Sequence, residues 1–325
     1  MPTRAMADGG ETPRELAGAD ETDRVRVFTA HRALLFGVAY RLLGSVADAE
    51  DVVQEAWLRW AGVEDAPVAH PRAFLVQVAT RLALDRLRRI KARREEYVGP
   101  WLPEPLLTGP DVAESVERAE SVSLALLVVL ESLSPLERAV FVLREAFGFS
   151  HEEIAEIVGR SEVSVRQTAV RARAHVRQRR PRFTSDPATR RQVTERFLAA
   201  CASGELATLM GVLAPGVTLI GDGGGKARAP LRTIQGADPV ARFLLAITRP
   251  DKVARFLTSV GREPGPDLRG AVEEVNGGPG IVVRAGGTII GVLVLEVADE
   301  RVQSVLLIGN PDKLAGVSPR ELPQQ

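Results

Sequence analysis

The sequence predicts a multidomain protein with two all-α units followed by an α+β unit. Residues 24–94 show helical periodicity throughout, with no run of alternating polar and apolar residues. A second helical stretch covers residues 121–182, after an interval that contains Gly, Pro and scattered acids. Beyond residue 270, short Val- and Ile-rich segments are separated by glycines, which is typical of strands joined by tight turns. At 325 residues, the chain is long enough for two or three units with separate cores.

The charge of the chain is balanced overall but unevenly distributed. The 42 Lys and Arg residues equal the 42 Asp and Glu residues, yet residues 81–94 hold seven basic residues and one acid. Residues 163–182 hold seven arginines and no acid. Basic blocks on helices favour contact with nucleic-acid phosphates, although the same pattern occurs on solvated helix faces.

Cysteine usage and hydropathy exclude several classes of protein. Cys201 is the only cysteine, so no internal disulfide and no cysteine-based zinc site can form. No apolar run approaches the roughly 20 residues that span a bilayer. Residues 1–23 lack the basic-then-apolar start of a secretory signal. We therefore expect a cytoplasmic protein with a disordered leader over residues 1–23, no membrane contact and no cofactor.

The segment from Asp48 to Trp57 is the most informative part of the first unit. On a helix, Asp48, Asp51 and Glu55 fall at i, i+3 and i+7, so three carboxylates share one face. The opposing apolar stripe consists of Ala49, Val52, Val53, Ala56 and Trp60. By pattern alone, an acidic face of this kind is compatible with simple solvation.

This segment resembles region 2.2 of RNA polymerase sigma factors of the sigma-70 family. The resemblance implies docking on the basic clamp helices of the polymerase β′ subunit through Asp48, Asp51, Gln54 and Glu55. Residues 71–89 resemble regions 2.3 and 2.4, which read and melt the −10 promoter element. The residues that this resemblance assigns to −10 DNA are Thr80, Arg81, Asp85, Arg86, Arg88 and Arg89. The sequence departs from the commonest family pattern at Arg81, where many members carry Asn.

Three helix start signals follow one another in the second unit. Ser134 and Ser150 each begin a capping box, and Ser161 caps a third helix after a turn at Gly159. A short helix, a Gly-containing turn and a long basic helix make a helix-turn-helix. The core stripe predicted for the last helix consists of Val165, Ala169, Ala172 and Val176.

The outer face of that last helix is suited to reading DNA. Its N-terminal half, which enters the major groove in such motifs, carries Arg166, Gln167, Val170 and Arg171. Arg can bind guanine and Gln can bind adenine through paired hydrogen bonds. The arginines farther along are assigned to phosphates: Arg173, Arg177, Arg179 and Arg180. The stretch from Leu133 to Arg177 resembles sigma region 4, which reads the −35 element.

Two sigma-like units in this order, over residues 24–94 and 121–183, resemble the extracytoplasmic-function group of sigma factors. The linker between them, residues 95–120, contains no region 3. The resemblance implies two partners, promoter DNA and core RNA polymerase, with the polymerase contacted through the β′ clamp helices and the β flap.

The third unit begins at Asp186-Pro187, an acid cap followed by proline at the first helical position. Two helices are expected to about Leu213, then a strand that ends at Ile220. A third helix is expected from Asp238-Pro239 to about Thr248. The later strands are predicted at 271–275, 281–283, 288–297 and 302–308. This order predicts a curved antiparallel sheet with helices on one side.

Residues 187–315 resemble the SnoaL-like cone, followed by a tail over 316–325. One extracytoplasmic-function group carries this domain at its C-terminus, and three short motifs here are similar to those of that group. The regulatory residues that these motifs imply are Trp101, Leu102 and Leu106; Asp222, Gly223, Gly224, Gly225 and Lys226; and Asn310, Pro311, Asp312, Lys313 and Leu314. The resemblance implies regulation in cis, with no separate anti-sigma protein.

Two other functions compete with this interpretation. A one-component regulator would use the helix-turn-helix, but it has no need of a polymerase-docking helix. A SnoaL-type enzyme would need an acid–base pair, yet all four histidines precede residue 176 and both tyrosines lie in the first half. The Asp222–Lys226 segment by itself indicates a tight turn and lacks the spacing of a phosphate-binding loop. The sequence therefore predicts no enzyme, although a small ligand fits a cone of this type.

Overall fold

The structure is a computed structural model. It describes residues 13–63, 68–94, 97–108, 123–179, 185–227, 229–249, 258 and 268–317. Parts of four predictions lie outside these residues: 1–12 of the leader, 95–96 and 109–120 of the linker, Arg180, and 318–325 of the tail.

Three helices form the first unit: α1 (Pro13–Leu43), α2 (Val46–Ala61) and α3 (Pro71–Arg94). The apolar stripe predicted for α2 is confirmed, because all five of its residues are buried where α2 packs on α1 and α3. Ser45 caps α2 and accepts a hydrogen bond from the Asp48 N–H at 3.2 Å.

The prediction of a disordered leader is wrong for residues 13–23, which form the first turns of α1.

The second unit contains α4 (Leu124–Leu130), α5 (Pro135–Phe141), α6 (His151–Val158) and α7 (Glu162–Arg179). A π-helical turn, Val142–Ala146, continues from α5.

The helix-turn-helix is confirmed in its local details. Complete capping boxes begin α5 at Ser134 and α6 at Ser150. Gly159 ends α6 with φ of 67°, a left-handed conformation that glycine adopts without a steric cost. The Ser161 hydroxyl accepts from the Ser164 N–H at 3.3 Å and so caps α7. The four residues predicted as the core stripe of α7 are all buried.

The helices of the third unit are α8 (Pro187–Ser203), α9 (Leu206–Val212), α10 (Ala237–Ile247) and α11 (Pro311–Leu314). The strands are β1 (Leu213–Asp222), β2 (Ile234–Gln235), β3 (Leu268–Val275), β4 (Gly278–Ala285), β5 (Thr288–Ala298) and β6 (Arg301–Ile308). They form one sheet in the order β2-β1-β6-β5-β4-β3.

Three expectations for this unit need correction. The sheet is antiparallel except between β1 and β6, which run parallel because the chain returns to the sheet through α10 and the later strands. Strand β1 continues to Asp222 rather than ending at Ile220. Helix α10 begins at Ala237 with Gly236 at the N-cap, so Asp238 lies in the first turn, where it pairs with Arg242 at 2.9 Å.

The central strands of the sheet are buried on both faces, whereas helices were expected on one side only. One face packs against α8 and α10 through residues such as Leu293 and Leu307. The opposite face carries Val292, Val294 and Leu306, which join the same apolar core as the two helical units. Near-continuous apolar strands are typical of a sheet that is covered on both sides. The third unit is therefore packed onto the sigma-like helices. Among the described helices, none is both long and apolar enough to cross a bilayer.

Candidate functional site

The outer face of α7 presents the side chains predicted to read bases. Arg166, Gln167, Val170 and Arg171 are all exposed, and Val170 keeps 66% of its surface accessible although it is apolar. Arg166 forms an ion pair with Glu162, one turn earlier, at 2.5 Å. Both partners are largely exposed, and such a pair contributes only about 0–1 kcal/mol, so Arg166 can exchange it for a base or phosphate.

Farther along α7, three arginines extend the basic surface. Arg177 and Arg179 are exposed, and Arg173 pairs with Glu145 of the π-helical turn at 2.7 Å. Both halves of α7 therefore present basic side chains at the surface, and the division into base-reading and phosphate-binding arginines stays a prediction.

Helix α3 presents only part of its predicted −10 surface. Asp85, Arg88 and Arg89 are exposed, and Arg88 pairs with Asp85 at 2.6 Å. Thr80 is fully buried, and its hydroxyl has no hydrogen-bond partner within the described chain. Because Thr80 lies on the core face of α3, the predicted contact of this side chain with DNA is not available in this arrangement.

The helix-turn-helix covers another part of the α3 surface. Gln77 Nε2 donates to the carbonyl of Glu156 at 2.8 Å, and Arg81 Nε donates to the carbonyl of Ile157 at 3.2 Å. Both carbonyls belong to the last turn of α6, where carbonyls lack helical partners and the helix dipole is negative. Arg81, predicted to lie near a captured −10 base, therefore binds a helix C-terminus here.

An arginine of α3 neutralises part of the negative charge on the acidic face of α2. Arg86 donates to Asp48 and to Asp51, both at 2.6 Å. Its guanidinium therefore contacts the predicted polymerase surface, although the sequence assigned Arg86 to −10 DNA. Gln54 and Glu55 remain exposed on the same helix.

A buried ion pair joins two motifs of the third unit to the predicted linker. Lys313 Nζ lies 2.6 Å from Asp222 Oδ2, and these side chains keep only 7% and 0% of their surface accessible. The same carboxylate oxygen accepts from the Leu102 N–H at 2.8 Å, and Lys313 also donates to the Leu102 carbonyl. The Asp222 carboxylate and the Lys313 ammonium group therefore bind the backbone N–H and the backbone carbonyl of Leu102, respectively.

Aromatic rings complete this arrangement, which we call the Asp222 cluster (Tyr97, Trp101, Asp222, Asn310 and Lys313). The Tyr97 hydroxyl donates to Asp222 Oδ1 at 2.5 Å and accepts from Asn310 Nδ2 at 2.8 Å. Lys313 Nζ lies 3.9 Å from the centre of the Trp101 ring, a favourable cation–π contact. Burial, with the nearby Asp222 carboxylate, raises the pKa of Tyr97, so the phenol stays protonated as a donor.

The glycine turn after Asp222 supports the cluster from one side. Gly224 and Gly225 have φ of 58° and 71°, which confirms the predicted tight turn. A Cβ at Gly224 would lie 2.3 Å from Asn310 Nδ2, so a side chain there would displace Asn310. Lys226 points away and pairs with Asp312 at 2.6 Å, where both side chains are largely exposed. The remaining residues of the Asn310–Leu314 motif are Pro311 and Leu314, and both belong to α11. Pro311 begins this helix and Leu314 is buried.

The other end of the linker motif binds the first unit. We call residues 97–108 the central segment. Glu104 N donates to the Gly44 carbonyl at 2.8 Å, and Glu104 Oε2 accepts from the Val46 N–H at 2.6 Å. Val46 is the first residue of α2, so Glu104 supplies an acceptor and a negative charge to a helix N-terminus. Burial raises the pKa of Glu104.

A tyrosine of α1 links the central segment to the sheet. The buried Tyr40 hydroxyl donates to the Glu104 carbonyl at 2.6 Å and accepts from Asn276 Nδ2 at 2.8 Å. Asn276 and Leu106 exchange two further hydrogen bonds, at 2.8 and 3.1 Å. The central segment is thus fastened to the first unit and to the third unit at neighbouring residues.

Four of these residues were missed by sequence reasoning: Tyr40, Tyr97, Glu104 and Asn276. The Asn-Gly pair at 276–277 indicates only a hairpin turn. Tyr97 lies just before the Trp-containing motif, and this position is the one signal that could have included it. Within the described residues, no group of three or more His, Cys, Asp or Glu side chains could hold a metal ion.

Comparison with known proteins decides the family. The chain matches the models for Sigma-70 region 2 over residues 27–94 and Sigma-70 region 4 over residues 123–176. It is 41% identical over 305 residues to the ECF RNA polymerase sigma factor SigJ of Mycobacterium tuberculosis strain H37Rv. That alignment covers 90% of this chain and 93% of the relative. The chain belongs to the extracytoplasmic-function family of RNA polymerase sigma factors.

Two further similarities agree with this placement. The Probable ECF RNA polymerase sigma factor SigI of Mycobacterium tuberculosis is 31% identical over 288 residues, covering 88% of this sigma factor and 92% of SigI. The crystal structure of Mycobacterium tuberculosis SigJ superimposes with a TM-score of 0.70 at 38% identity, covering 91% of this chain and all of that one. The likeness includes the curved six-stranded sheet, so the third unit of this sigma factor has the predicted SnoaL-like fold. Sigma factors direct a polymerase and are not enzymes, in agreement with the sequence-based expectation.

Proposed function

We propose that this sigma factor binds core polymerase through the acidic face of α2, reads the −10 element through α3 and reads the −35 element through α7. We further propose that the SnoaL-like domain modulates this activity in cis, without a separate anti-sigma protein. Family membership supports the general role in promoter-directed initiation.

The observation that carries the regulatory proposal is the buried Lys313–Asp222 pair on the central segment. A buried charge is costly unless it is paired and hydrogen-bonded. Here both members of the pair also bind the Leu102 backbone, since Asp222 Oδ2 accepts from its N–H and Lys313 donates to its carbonyl. The pair therefore favours one position of the central segment strongly over others.

The arrangement of the two DNA-reading helices supports the same proposal. Elements at −10 and −35 are about 25 base pairs apart, roughly 85 Å at ~3.4 Å per base pair. The contacts of Gln77 and Arg81 with the end of α6 hold the helix-turn-helix directly against α3. Binding both elements at once requires these contacts to break, so the described arrangement is a closed one. Any interaction that stabilises it lowers the fraction of molecules competent for promoter binding.

The test is run-off transcription with core polymerase on the promoter upstream of this sigma factor's own gene. We expect Lys313→Met to raise the yield of transcript, because it leaves Asp222 buried without its counter-charge and weakens the hold on the central segment. The expected loss of stability is about 3–5 kcal/mol.

The matched control is Lys226→Met, which removes the same charge from an exposed pair in the same domain. Such a pair is worth about 0–1 kcal/mol, so this variant should transcribe like the wild type. Equal transcription by wild type, Lys313→Met and Lys226→Met would reject regulation through the cluster. No transcript from any of the three would reject the sigma-factor function itself.

A further inference from the structure

Two valines on the outer face of α7 are exposed to an unusual degree for apolar side chains. Val163 and Val170 each keep 66% of their surface accessible. A single exposed apolar side chain is ordinary on a protein surface. These two are seven residues apart, which is about two helical turns, so they lie on the same face of one helix. A partner that covers this face would remove both side chains from water.

The side chains between the two valines are those predicted to read bases. Arg166 and Gln167 stand three and four positions after Val163 and are also exposed. The exposed face therefore carries Val, Arg, Gln and Val in order from the N-terminus of α7. Val163 is the second residue of this helix, and the N-terminal residues of a recognition helix are the ones that contact base edges. The base-reading residues predicted from the sequence begin at Arg166, so they do not include Val163.

The charge of this surface favours DNA as its partner. Residues 163–182 contain seven arginines and no acid. The acid just before them, Glu162, pairs with Arg166 at 2.5 Å. An apolar protein surface placed over the valines would remove water from neighbouring guanidinium groups without supplying a counter-charge. DNA supplies phosphates on both sides of its major groove, so the arginines keep partners when the valines are covered.

In the major groove, the apolar feature of a base pair is the C5 methyl group of thymine. The other features that base edges present there are hydrogen-bond donors and acceptors, and a valine side chain can pair with none of them. Contact between a valine and a thymine methyl group removes apolar surface of both from water. Against any other base, the valine would displace water from a polar group and leave that group without a partner. An exposed valine at a base edge therefore favours thymine.

We propose that Val163 and Val170 read two thymine methyl groups of the −35 element, while Arg166 and Gln167 read hydrogen-bonding groups between them. This specificity rests on the proposed role of α7 as the reader of that element. Seven residues of α-helix span about 10.5 Å, which corresponds to roughly three base pairs at ~3.4 Å each. The two thymines, on the same strand or on opposite strands, should therefore lie about three base pairs apart.

The test uses holoenzyme assembled from the full chain and core polymerase. From duplexes with a randomised −35 region, the holoenzyme should select thymines at two positions about three base pairs apart. Each selected thymine is then replaced by deoxyuridine, which lacks only the C5 methyl group. Either replacement should weaken binding about fourfold, which corresponds to ~0.8 kcal/mol for one buried methyl-sized group.

Alanine variants assign each methyl group to one valine. In Val163→Ala, one of the two deoxyuridine replacements should lose its effect and the other should keep it, and Val170→Ala should show the reverse. Alanine has the highest helix propensity, so both variants should fold. Val25→Ala is the matched control, because it makes the same change at an exposed valine of α1. Both replacements should weaken binding of this control as they do in the wild type.

Equal binding of thymine and deoxyuridine by the wild type would overturn this assignment, as would a selected element without such a pair of thymines. Replacement effects that persist unchanged in both α7 variants would show that other side chains read the methyl groups. If those variants also bound core polymerase more weakly, the valines would be protein contacts. A holoenzyme that selects no −35 sequence at all would reject the role of α7 as the −35 reader, which is a different failure from selection without methyl dependence.

Discussion

At the scale of single residues, buried acceptors hold the central segment in place. Asp222 and Glu104 are carboxylates of different chain regions, and each accepts a backbone N–H from a residue distant in sequence. Asp222 has a lysine counter-charge, whereas Glu104 faces the N-terminus of α2. Their electrostatic behaviour should therefore differ.

Replacement of Glu104 by Gln should flatten the pH dependence of stability. Burial raises the pKa of Glu104 in the folded chain above its ordinary value of 4.5. As pH rises, Glu104 loses its proton in the unfolded chain before it does so in the folded chain. Its contribution to the free energy of unfolding is therefore full below pH 4.5. This contribution declines as pH rises through the folded-state pKa.

Chemical denaturation at several pH values from 4.5 upward measures this effect. Glu104→Gln should lose less stability with rising pH than the wild type. The exposed Glu152 on α6 supplies the control, since Glu152→Gln should keep the wild-type slope. A Glu104→Gln slope equal to that of the wild type would contradict the assignment.

At the scale of elements, each predicted binding helix has a different relation to its neighbours. Helix α7 presents its DNA-reading face to solvent, and the local pairs on it are exposed. Two acidic side chains of α2 form ion pairs with Arg86 of α3. Helix α3 in turn contacts the end of α6 through Arg81, which donates to the Ile157 carbonyl.

Neutralising the exposed acids of α2 should weaken binding to core polymerase. The change Asp51→Asn with Glu55→Gln removes two negative charges without placing a new cation next to Arg86. We expect a clear loss in pull-down of core polymerase, with the helical content unchanged by circular dichroism. The control pair Glu152→Gln and Glu156→Gln removes two exposed acids from α6. If the α2 variant retains full pull-down, its acidic face is only a solvated surface.

Two arginines of α7 should differ in the kind of DNA contact that they make. Arg166→Ala should cost about 1–3 kcal/mol and relax the preference at one base position of the −35 element. Arg179→Ala should weaken binding to all sequences alike and reduce the salt dependence. Binding of each variant to a panel of single-base promoter variants, at two salt concentrations, separates these outcomes. A uniform loss for Arg166→Ala would identify it as a phosphate contact.

At the scale of the whole molecule, the SnoaL-like domain is packed onto the sigma helices through the second face of its sheet. The central segment lies at this junction, with bonds to α1, α2 and the third unit. We therefore expect that weakening one contact of the SnoaL-like domain and removing the domain have different effects on transcription.

Truncation should reveal these two effects. A chain that ends at 309 loses α11 and Lys313 but keeps the sheet, so the hold on the central segment is weakened and transcription should rise. A chain that ends at 221 loses β2 to β6 and Asp222, which exposes the apolar faces of α8 and α9, and transcription should fall. A chain that ends at 186 should also transcribe less than the full chain, because nothing supports the central segment. Reporter activity normalised to protein level measures all three, and equal activity would make the domain a passive appendage.

Much of this protein follows from local sequence. The capping serines 134 and 150, the apolar stripes of α2 and α7 and the glycine turn after Asp222 each depend on residues within a few positions of one another. Local sterics and hydrogen bonding decide such features, and the motifs that carry the family resemblance are equally local. The order of the two sigma units and the SnoaL-like fold could therefore be predicted, and comparison confirmed them.

Other features depend on which distant surfaces meet. The pairs Asp222–Leu102, Tyr40–Asn276 and Gln77–Glu156 join residues 120, 236 and 79 positions apart. No periodicity or spacing specifies them, because the side chains involved are ordinary polar residues until a partner surface buries them. For the same reason, the sequence indicated only a tight turn beginning at Asp222, whereas the folded chain places this carboxylate at the centre of a buried cluster. The sequence alone determined the helices, the strands and the family. Tertiary packing decided that the three units all contact the central segment. The reason is desolvation, because each buried charge depends on partners that only the folded chain brings together.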